Sequence, residues 1–330
     1  MQTRRLGATG PDVSLIGLGA MGMSDMYGPA DRAESLATIH AAIEAGITLI
    51  DTGDFYGMGH NEMLIGEALK SHDRDRLVLS VKFGAQRGPD GMWIGYDARP
   101  SAVKTALSYT LKRLGVDHID IYRPARLDPN VPIEDTVGAI AEMVQAGYVR
   151  HIGLSEVGSE TIRRAAAVHP IADLQIEYSL ISRGIEDGIL ATLRELGVGI
   201  TAYGVLARGL ISGHMTAPGG GRDIRGFAPR FQGEALAANL SLTEALRSAA
   251  EAMSLTPAQA AIAWVAAQGD NIVPLVGARR RDRLAEALGA LARPLSAEDR
   301  SALERAIPKG AAVGDRYPTA MMGTLDSEKG

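Results

Sequence analysis

A tyrosine, a lysine and an aspartate in this sequence could together form a proton donor. Asp51 and Tyr56 lie close together in the segment DTGDFYG, and Lys82 ends the β-rich segment RLVLSVK. A lysine ammonium beside a phenol lowers the pKa of the phenol from about 10, and an aspartate can hold that lysine in place. Such a tyrosine can protonate a carbonyl oxygen while a hydride reaches the carbon. The fold must bring the three side chains together.

Short β-rich segments alternate with amphipathic helical segments along most of the chain. The predicted strands span residues 14–19, 47–51, 76–82, 118–122, 149–155, 173–179, 198–203 and 271–277. The predicted helices span residues 31–45, 60–70, 99–114, 133–146, 159–168, 184–196, 257–268 and 279–291, with an additional helix at 241–253. Eight such repeats are typical of an α/β fold, the (β/α)8 TIM barrel. No linker interrupts the alternation, so we expect one domain over residues 1–330.

The carboxyl ends of the strands meet at one mouth of such a barrel, where its chemistry takes place. In this sequence the strand ends are polar. Besides the proton-donor group described above, the residues at or just after the strand ends are Ser155, Glu156, Gln175, Tyr203 and a group of arginines. Each of these residues alone also has a structural interpretation, such as capping or packing. Their convergence at one mouth predicts a catalytic site there.

Three segments lie outside the eight repeats. Residues 1–13 predict an N-terminal hairpin, residues 213–240 a long loop, and residues 307–330 a C-terminal tail. Loops of this length in a compact domain are usually either functional or mobile. We expect residues 213–240 to form a loop on the cofactor side of the mouth and the tail to lie on its substrate side.

The segment Gly17-Leu-Gly19-Ala-Met-Gly22 matches the GxGxxG pattern of dinucleotide-binding proteins. That pattern requires a helix that begins at once, because the helix N-terminus must meet the pyrophosphate. Here no helical pattern begins before about Asp31. We therefore interpret these glycines as a tight first βα loop and not as a Rossmann motif.

The composition excludes several classes of function. The 330 residues are 46% hydrophobic and 22% charged, with a net charge of -5 and no cysteine. These values indicate a large core, no polybasic surface for nucleic acid or lipid, and no thiol chemistry. No apolar segment is long enough to span a bilayer, and the 7 histidines lack metal-ligand spacing. We expect a cytoplasmic enzyme with no metal, no nucleic-acid partner and no membrane partner.

Four arginines follow the eighth predicted strand, at positions 279, 280, 281 and 283. Guanidinium groups near the N-terminus of a helix can bind a phosphate through paired hydrogen bonds. The alternative is a solvated basic turn. We favour a phosphate site, because the strand end before it opens on the predicted mouth.

The chain resembles the aldo-keto reductase superfamily over nearly its whole length. The resemblance rests on the combination of LGATGPDVSLIGLGAMGM, LIDTGDFYGMGHNEMLIGEAL, VLSVKFG, LKRLGVDHIDIY, LDPNVPIEDT, IGLSEV, QIEYSL and GARRRDRLAEALGAL. It implies a barrel that binds NADPH across its mouth and reduces a small-molecule carbonyl substrate. It also implies that Tyr56 is the general acid, that Lys82 lowers its pKa, and that Asp51 orients Lys82.

The resemblance further implies how NADPH is held. The matching cofactor positions are Gly19, Met21, Ser155, Gln175, Tyr203, Gly204, Val205, Leu206, Arg208, Gly209, Gly277, Arg279, Arg283 and Glu286. Among them, Ser155 and Gln175 match residues that bind the nicotinamide carboxamide, and Tyr203 matches the ring that stacks on the nicotinamide. The two arginines near the C-terminus match contacts to the 2′-phosphate, which favours NADPH over NADH. Glu286 matches an adenine contact.

One position departs from the resemblance. Most relatives carry a histidine at the end of the fourth strand, within a Gln-His-Arg sequence, whereas this chain has Ala125 between Pro124 and Arg126. That histidine normally donates a hydrogen bond to the substrate oxygen. Losing such a donor in a dry site lowers the rate by about 10²–10³-fold unless another group replaces it.

Three interpretations of this departure stay open. In the first, the protein is a reductase in which Ala125 makes room for a bulkier carbonyl, as in the similar pyridoxal-reductase-like members. In the second, Arg123, Arg126, Trp93 or a water replaces the donor. In the third, the barrel is a catalytically weak NADPH-binding sensor or partner subunit. The retained acid, lysine and aspartate favour the first two. We expect Phe55 and Trp93 to line the substrate pocket together with Ala125 and Arg126.

Overall fold

Buried parallel strands form a closed barrel in the computed structural model, which describes residues 1–24, 26–215 and 223–329. The strands are β1 (Thr3–Arg5), β2 (Asp12–Ser14), β3 (Gly17–Gly19), β4 (Leu49–Gly53), β5 (Val78–Phe83), β6 (Ala85–Arg87), β7 (Trp93–Tyr96), β8 (Ile119–Pro124), β9 (Val149–Ser155), β10 (Ile171–Glu177), β11 (Gly199–Tyr203) and β12 (Ile272–Gly277). The barrel order is β3-β4-β5-β8-β9-β10-β11-β12, and β12 pairs back to β3. Each neighbouring pair is parallel. The predicted (β/α)8 barrel is confirmed.

Helices surround this barrel. They are α1 (Arg32–Glu44), α2 (His60–Leu69), α3 (Pro100–Leu114), α4 (Ile133–Gln145), α5 (Ser159–Val168), α6 (Ile189–Leu196), α7 (Gly233–Glu251), α8 (Pro257–Ala266), α9 (Arg281–Gly289), α10 (Ala297–Ala306) and α11 (Thr319–Met322). α3 shows why such segments are helical, since Val103, Leu107 and Leu114 recur on its buried face. It begins at Pro100, where a missing N–H costs nothing, and ends before Gly115, whose φ of 68° suits glycine.

The N-terminal hairpin closes the end of the barrel opposite the mouth. β1 and β2 pair antiparallel, and the side chain of Leu6 between them is fully buried. The backbone N–H of Ala8 donates to the carbonyl of Gly197 at 2.7 Å, just before β11 begins. Gly7 has a φ of 72°, and a Cβ at this position would lie 2.5 Å from the backbone nitrogen of Gly199. Only glycine allows the hairpin to pack this closely.

The prediction of a loop over residues 213–240 is wrong for the last part of that segment. Residues 216–222 of that segment lie outside the described residues, but α7 already begins at Gly233. Leu236 and Leu240 in its first turns pack against the core, which stabilises the helix upstream of the predicted start at 241. The alanine-rich sequence here has too few large apolar residues to show a clear helical period.

The sequence analysis missed β6, β7, α10 and the short α11. β6 and β7 form an antiparallel hairpin directly after barrel strand β5, where we expected a plain loop. α10 precedes the predicted C-terminal tail and begins with a capping box, in which Ser296 and Asp299 each bond the other's backbone N–H. The hairpin matters for function because it carries Trp93 to the mouth side of the barrel.

The register of the barrel brings the polar strand ends together. Asp51 on β4 pairs with Gly19 on β3 and with Ser80 on β5. On the next pair of strands, Ser155 on β9 pairs with Gln175 on β10. Gly19 and Ser155 are the last residues of their strands, and the register aligns Asp51, Ser80 and Gln175 with them, so the fold brings these polar side chains close to one mouth.

Candidate active site

Asp51 is the centre of a buried hydrogen-bonded cluster. One oxygen of its carboxylate forms an ion pair with the Nζ of Lys82. The other oxygen accepts hydrogen bonds from the Oγ of Ser80 at 2.8 Å and from the Nε2 of Gln175 at 2.6 Å. Asp51 is 2% exposed and Lys82 3% exposed. The ammonium group is therefore held in one position by a carboxylate that is itself fixed.

Tyr56 lies beside this cluster, in the turn that follows β4. Its backbone N–H donates to the carbonyl of Gly53 at 3.0 Å, and its side chain is 6% exposed. The Nζ of Lys82 is 5.1 Å from the centre of the tyrosine ring. The structure thus brings together the three residues that the sequence singled out for proton transfer.

The net direction of the Tyr56 pKa is the opposite of the prediction. Burial raises the pKa of Tyr56 well above its usual value, and the charge of Asp51 raises it further, whereas Arg126 opposes this weakly. Burial also lowers the pKa of Lys82, against the opposite effect of Asp51. Because the carboxylate neutralises the ammonium, the lysine cannot outweigh the cost of a buried phenolate. Tyr56 therefore keeps its proton, as a general acid must before it reacts.

The side chains of Phe55 and Trp93 form an aromatic wall next to Tyr56. The rings of Phe55 and Tyr56 meet edge to face at 4.7 Å, and those of Phe55 and Trp93 at 5.6 Å. The guanidinium of Arg87 lies 5.0 Å from the centre of the Trp93 ring. Trp93 is 39% exposed, so the wall runs from the buried tyrosine to the surface. Phe55 thus contacts both Tyr56 and Trp93, which joins two of the expected substrate-pocket residues to the expected acid.

Ala125 directly follows β8 and is covered by protein. It is 2% exposed, and its N–H donates to the carbonyl of Phe83 at 2.8 Å. The methyl group does not border open space, which weighs against the interpretation that it enlarges the substrate pocket. The Nη1 of the next residue, Arg126, donates to the Ala125 carbonyl at 2.6 Å. The guanidinium of Arg126 therefore lies next to position 125, where most relatives carry the histidine.

Arg123 is buried inside the barrel. Its Nη1 forms an ion pair with Asp173 at 2.9 Å, and its Nη2 donates to the Oγ of Ser80 at 2.9 Å. The exposed fraction of Arg123 is 0%. A guanidinium enclosed in this way supports Asp51 through Ser80 but has no access to a substrate. This removes Arg123 from the candidates for the replacement donor.

Ser155, one of the expected cofactor residues, has a buried hydroxyl without a hydrogen-bond partner in the described part of the chain. The Oγ of Ser155 makes no hydrogen bond to any described residue, although Ser155 is 1% exposed. Leaving a buried hydroxyl unpaired is unfavourable, so the group fits a ligand that supplies the missing bond. A carboxamide, as in nicotinamide, has the required donor and acceptor. Gln175, the other expected partner, instead donates to Asp51.

The C-terminal tail returns to the mouth and forms a charged cluster there. The Nη2 of Arg316 pairs with Glu156 at 2.6 Å, and its Nη1 pairs with Glu177 at 3.3 Å. The hydroxyl of Tyr203 donates to Glu156 at 2.6 Å and lies 3.1 Å from the hydroxyl of Tyr317. Glu156, Glu177, Arg316 and Tyr317 thus form one cluster, the C-terminal clamp. Apart from Glu156, the sequence analysis missed it, because nothing local marks residues so far apart as neighbours.

The turn after β11 contains five of the expected cofactor residues and contacts the clamp through Arg208. Arg208 donates to the carbonyl of Arg316 at 2.7 Å and to Glu177 at 3.3 Å, and its guanidinium lies 4.3 Å from the centre of the Tyr317 ring. Arg208 has a φ of 57°. Gly204, Val205, Leu206 and Gly209 belong to the same turn, with Val205 buried. A strained backbone of this kind is typical of functional loops.

The expected 2′-phosphate residues lie at the start of α9. The Nη1 of Arg279 contacts the backbone carbonyls of Tyr27, Gly28 and Pro29 at 3.1–3.3 Å. The Nη1 of Arg283 contacts Glu286 at 3.2 Å and His214 at 2.6 Å. His214 is a neighbour that the sequence analysis missed. Gly277 ends β12 on the exposed surface beside this group.

At the other edge of this region, Gly19 ends β3 and Met21 begins a short 3-10 turn. α1 starts only at Arg32, with Asp31 as its cap. No helix N-terminus therefore meets the GxGxxG segment, as predicted. Gly19 and Met21 lie beside Asp51, because the N–H of Ala20 donates to the Asp51 carbonyl at 3.0 Å.

Asp54 gives a stability prediction. Burial and the charge of Glu62 raise its pKa from 3.8 to about 7, and its Oδ1 has no hydrogen-bond partner among the described residues. Between these two pKa values the folded state binds the extra proton, so the free energy of unfolding falls as the pH rises, by about 1.4 kcal/mol per unit at most. We expect Asp54→Asn to remove this fall in urea unfolding between about pH 4 and about pH 8. The exposed Glu251→Gln is the matched control and should leave the slope unchanged; an equal slope in Asp54→Asn would contradict the prediction.

Comparisons with known proteins define the class. The model of the Aldo/keto reductase family matches residues 15–308. The chain is 41% identical over 320 residues to the Probable aldo-keto reductase 1 of Glycine max, covering 96% of this chain and 92% of that protein. It is 38% identical over 322 residues to the aldo-keto reductase yakc [NADP(+)] of Schizosaccharomyces pombe, covering 96% and 94%.

Solved structures agree with these matches. The glycerol dehydrogenase AKR11B4 from Gluconobacter oxydans has a TM-score of 0.84 and 28% identity, covering 95% of this chain and 96% of that chain. The holo form of aldo-keto reductase AKR11C1 from Bacillus halodurans has a TM-score of 0.77 and 27% identity, covering 93% and 96%. This chain belongs to the aldo/keto reductase family and is an oxidoreductase. Within the described residues, no helix is long and apolar enough to cross a membrane.

Proposed function

We propose that this protein is an NADPH-dependent reductase of aldehydes or ketones, with Tyr56 as its general acid. The observation that carries the proposal is the buried arrangement of Tyr56, Lys82 and Asp51, in which the ion pair lies against the tyrosine ring. A protonated phenol held beside a fixed ammonium can donate its proton to an oxygen that gains negative charge. The NADP-dependent reductase among the relatives supports the cofactor.

The residues present fit NADPH. Ser155 offers the unpaired hydroxyl for the carboxamide, and Tyr203 is fixed at the mouth through its bond to Glu156. Arg279 and Arg283 offer guanidinium groups for the 2′-phosphate near the start of α9. When bound, the reduced nicotinamide supplies the hydride for the carbonyl carbon. Gly19, Met21, Gly204, Val205, Leu206, Arg208, Gly209, Gly277 and Glu286 complete the proposed cofactor site.

The chain's own groups then have separate tasks. Tyr56 gives its proton to the carbonyl oxygen, and the fixed Lys82 stabilises the phenolate that this transfer leaves behind. Asp51 keeps Lys82 in place, and Gln175 and Ser80 keep Asp51 in place. Phe55 and Trp93 shield one side of the approaching carbonyl from water.

Turnover with a panel of carbonyl compounds tests the proposal. The protein is mixed with NADPH and pyridoxal, an aromatic aldehyde or a bulky ketone, and the absorbance of the reduced nicotinamide is followed. We expect a decrease with at least one compound, and the strongest substrate identifies the preferred carbonyl class. Tight binding of NADPH without turnover of any compound would contradict the proposal and favour a cofactor-binding sensor or partner subunit. The retained proton-transfer residues argue against that sensor, because binding alone does not require them.

A further inference from the structure

Arg126 differs from Lys82, Arg208 and Arg316 in that it has no carboxylate partner among the described residues. Lys82 pairs with Asp51, Arg208 with Glu177, and Arg316 with both Glu156 and Glu177. Among the described residues, the Arg126 guanidinium hydrogen-bonds only to the neighbouring carbonyl of Ala125, at 2.6 Å. A half-buried cation without a counter-ion is unfavourable unless it serves an anion or a developing negative charge.

The backbone places Arg126 next to the strand of Lys82, because the guanidinium donates to the Ala125 carbonyl and the Ala125 N–H donates to the carbonyl of Phe83, the residue after Lys82. Burial acts to lower its pKa, but Tyr203, Tyr317, Glu156 and Tyr96 raise it above the usual value. Arg126 in turn acts on the pKa of Tyr56, after the larger effects of burial and Asp51. The charge of Arg126 therefore acts on both Tyr56 and Tyr203. Arg126 stays protonated, since a guanidinium does not lose its proton in proteins.

The bond to Ala125 fixes where the free donors lie. One N–H of the guanidinium is used by the Ala125 carbonyl, which holds the group against the end of β8. A guanidinium has five N–H donors in a rigid fork, so the remaining donors are free to bind one oxygen from a second direction. The ring of Trp93 packs against Phe55, and Arg123 is enclosed in the barrel by its ion pair with Asp173. We therefore do not assign either side chain as the donor that replaces the histidine.

We infer that Arg126 is the second hydrogen-bond donor to the substrate's carbonyl oxygen and stabilises the negative charge that develops on it. This inference rests on the proposed reductase function. As the carbon gains the hydride, the electron pair of the C=O bond moves onto oxygen, which takes the proton of Tyr56. Arg126 donates hydrogen bonds throughout and keeps all its protons. Its role is electrostatic stabilisation of the transition state.

The test compares Arg126→Ala and Arg126→Lys with Arg163→Ala. Arg163 is a surface residue with 48% side-chain exposure that pairs with Glu195, which makes its variant a matched control. We expect kcat of Arg126→Ala to fall by about 10²–10³-fold, as for other lost oxyanion donors. Arg126→Lys should keep part of the rate, because it keeps the charge but not the fork. Arg163→Ala should behave as the wild type.

Two further measurements separate chemistry from structure. Added guanidinium chloride at low millimolar concentration should restore part of the rate of Arg126→Ala in a saturable manner, and should not do so for Arg163→Ala. Calorimetry with benzoate, whose carboxylate stands in for the oxyanion, should show weaker binding to Arg126→Ala. The dissociation constant of NADPH and the unfolding midpoint should stay unchanged. If Arg126 had a purely structural role, its removal would change the dissociation constant of NADPH and the unfolding midpoint, and added guanidinium would not restore the rate.

The outcomes distinguish this inference from the proposed function. Wild-type turnover with an unchanged rate in Arg126→Ala would overturn the inference and leave the reductase function in place. A loss restricted to substrates that carry a carboxylate, such as 4-carboxybenzaldehyde compared with benzaldehyde, would also overturn it, because Arg126 would then bind a remote anion. Absence of wild-type turnover would overturn the proposed function and, with it, the inference.

Discussion

Tyr56→Phe is expected to lower the rate of NADPH-dependent carbonyl reduction by about 10³-fold, the largest effect on activity of any single change discussed. The substitution removes one oxygen atom and leaves the ring, so the edge-to-face contact with Phe55 and the approach of Lys82 are retained. The acidic proton is lost together with this oxygen. Steady-state kcat on the best substrate of the panel measures the effect.

Tyr148→Phe provides the control, because that side chain is 49% exposed and lies away from the mouth. Its kcat should equal the wild-type value. Fluorescence titration should show that Tyr56→Phe binds NADPH as tightly as the wild type, since the phenol is not proposed to hold the cofactor. If Tyr56→Phe keeps wild-type turnover, the assignment of the acid is incorrect.

Arg316→Met is expected to have the largest effect on stability. Arg316 is 6% exposed, and its removal leaves Glu156, which is 0% exposed, without its ion-pair partner, whereas Glu177 keeps its pairs with Arg208 and Arg230. Removing one partner of a buried ion pair costs about 3–5 kcal/mol, because the remaining charge is left uncompensated. Urea unfolding near neutral pH measures the loss. NADPH should also bind more weakly, since the backbone carbonyl of residue 316 accepts a hydrogen bond from Arg208 of the proposed cofactor site, and the ion pairs of Arg316 hold that backbone in place.

The pH dependence of this variant provides a second measurement. Burial alone would raise the pKa of Glu156, but the charge and hydrogen bonds of Arg316 lower it well below its usual value of 4.5. A depressed folded-state pKa contributes stability above 4.5 that is lost as the pH falls below it. The wild type should therefore lose stability on acidification, and Arg316→Met should lose less.

Arg293→Met is the matched control for Arg316→Met. Arg293 pairs with Asp299 at 2.8 Å, but its side chain is 45% exposed. Exposed pairs contribute about 1 kcal/mol or less, so this variant should unfold almost as the wild type does. Equal losses in the two arginine variants would contradict the role assigned to the C-terminal clamp.

The sequence predicted the barrel because its strands have a strong local signal. β9 has the predicted bounds, and Asp51, Tyr56 and Lys82 lie together as expected, since the carboxyl ends of parallel strands must share one mouth. The start of α7 was not predictable in the same way. Its first turns are held by tertiary packing of Leu236 and Leu240, and not by a strong helical period.

Neither the pKa of Tyr56 nor the C-terminal clamp can be predicted from the spacing of residues in the sequence. The pKa follows from the depth of burial and from the neutralisation of Lys82 by Asp51, both of which appear only once the chain is packed. The clamp joins Glu156 to Arg316 across 160 positions of the chain. The arginine carries no mark in the sequence that distinguishes it from surface arginines such as Arg293.

The clamp also separates completion of the mouth from closure of the barrel. The barrel closes when β12 pairs with β3, whereas Glu156 obtains its cation from Arg316 and a hydrogen bond from Ser327, both of which follow β12 in the chain. A barrel with all its strands paired would therefore still contain the buried Glu156 without its ion-pair partner until the C-terminal segment docks. The mouth is thus completed by residues 316–328 and not by the barrel alone.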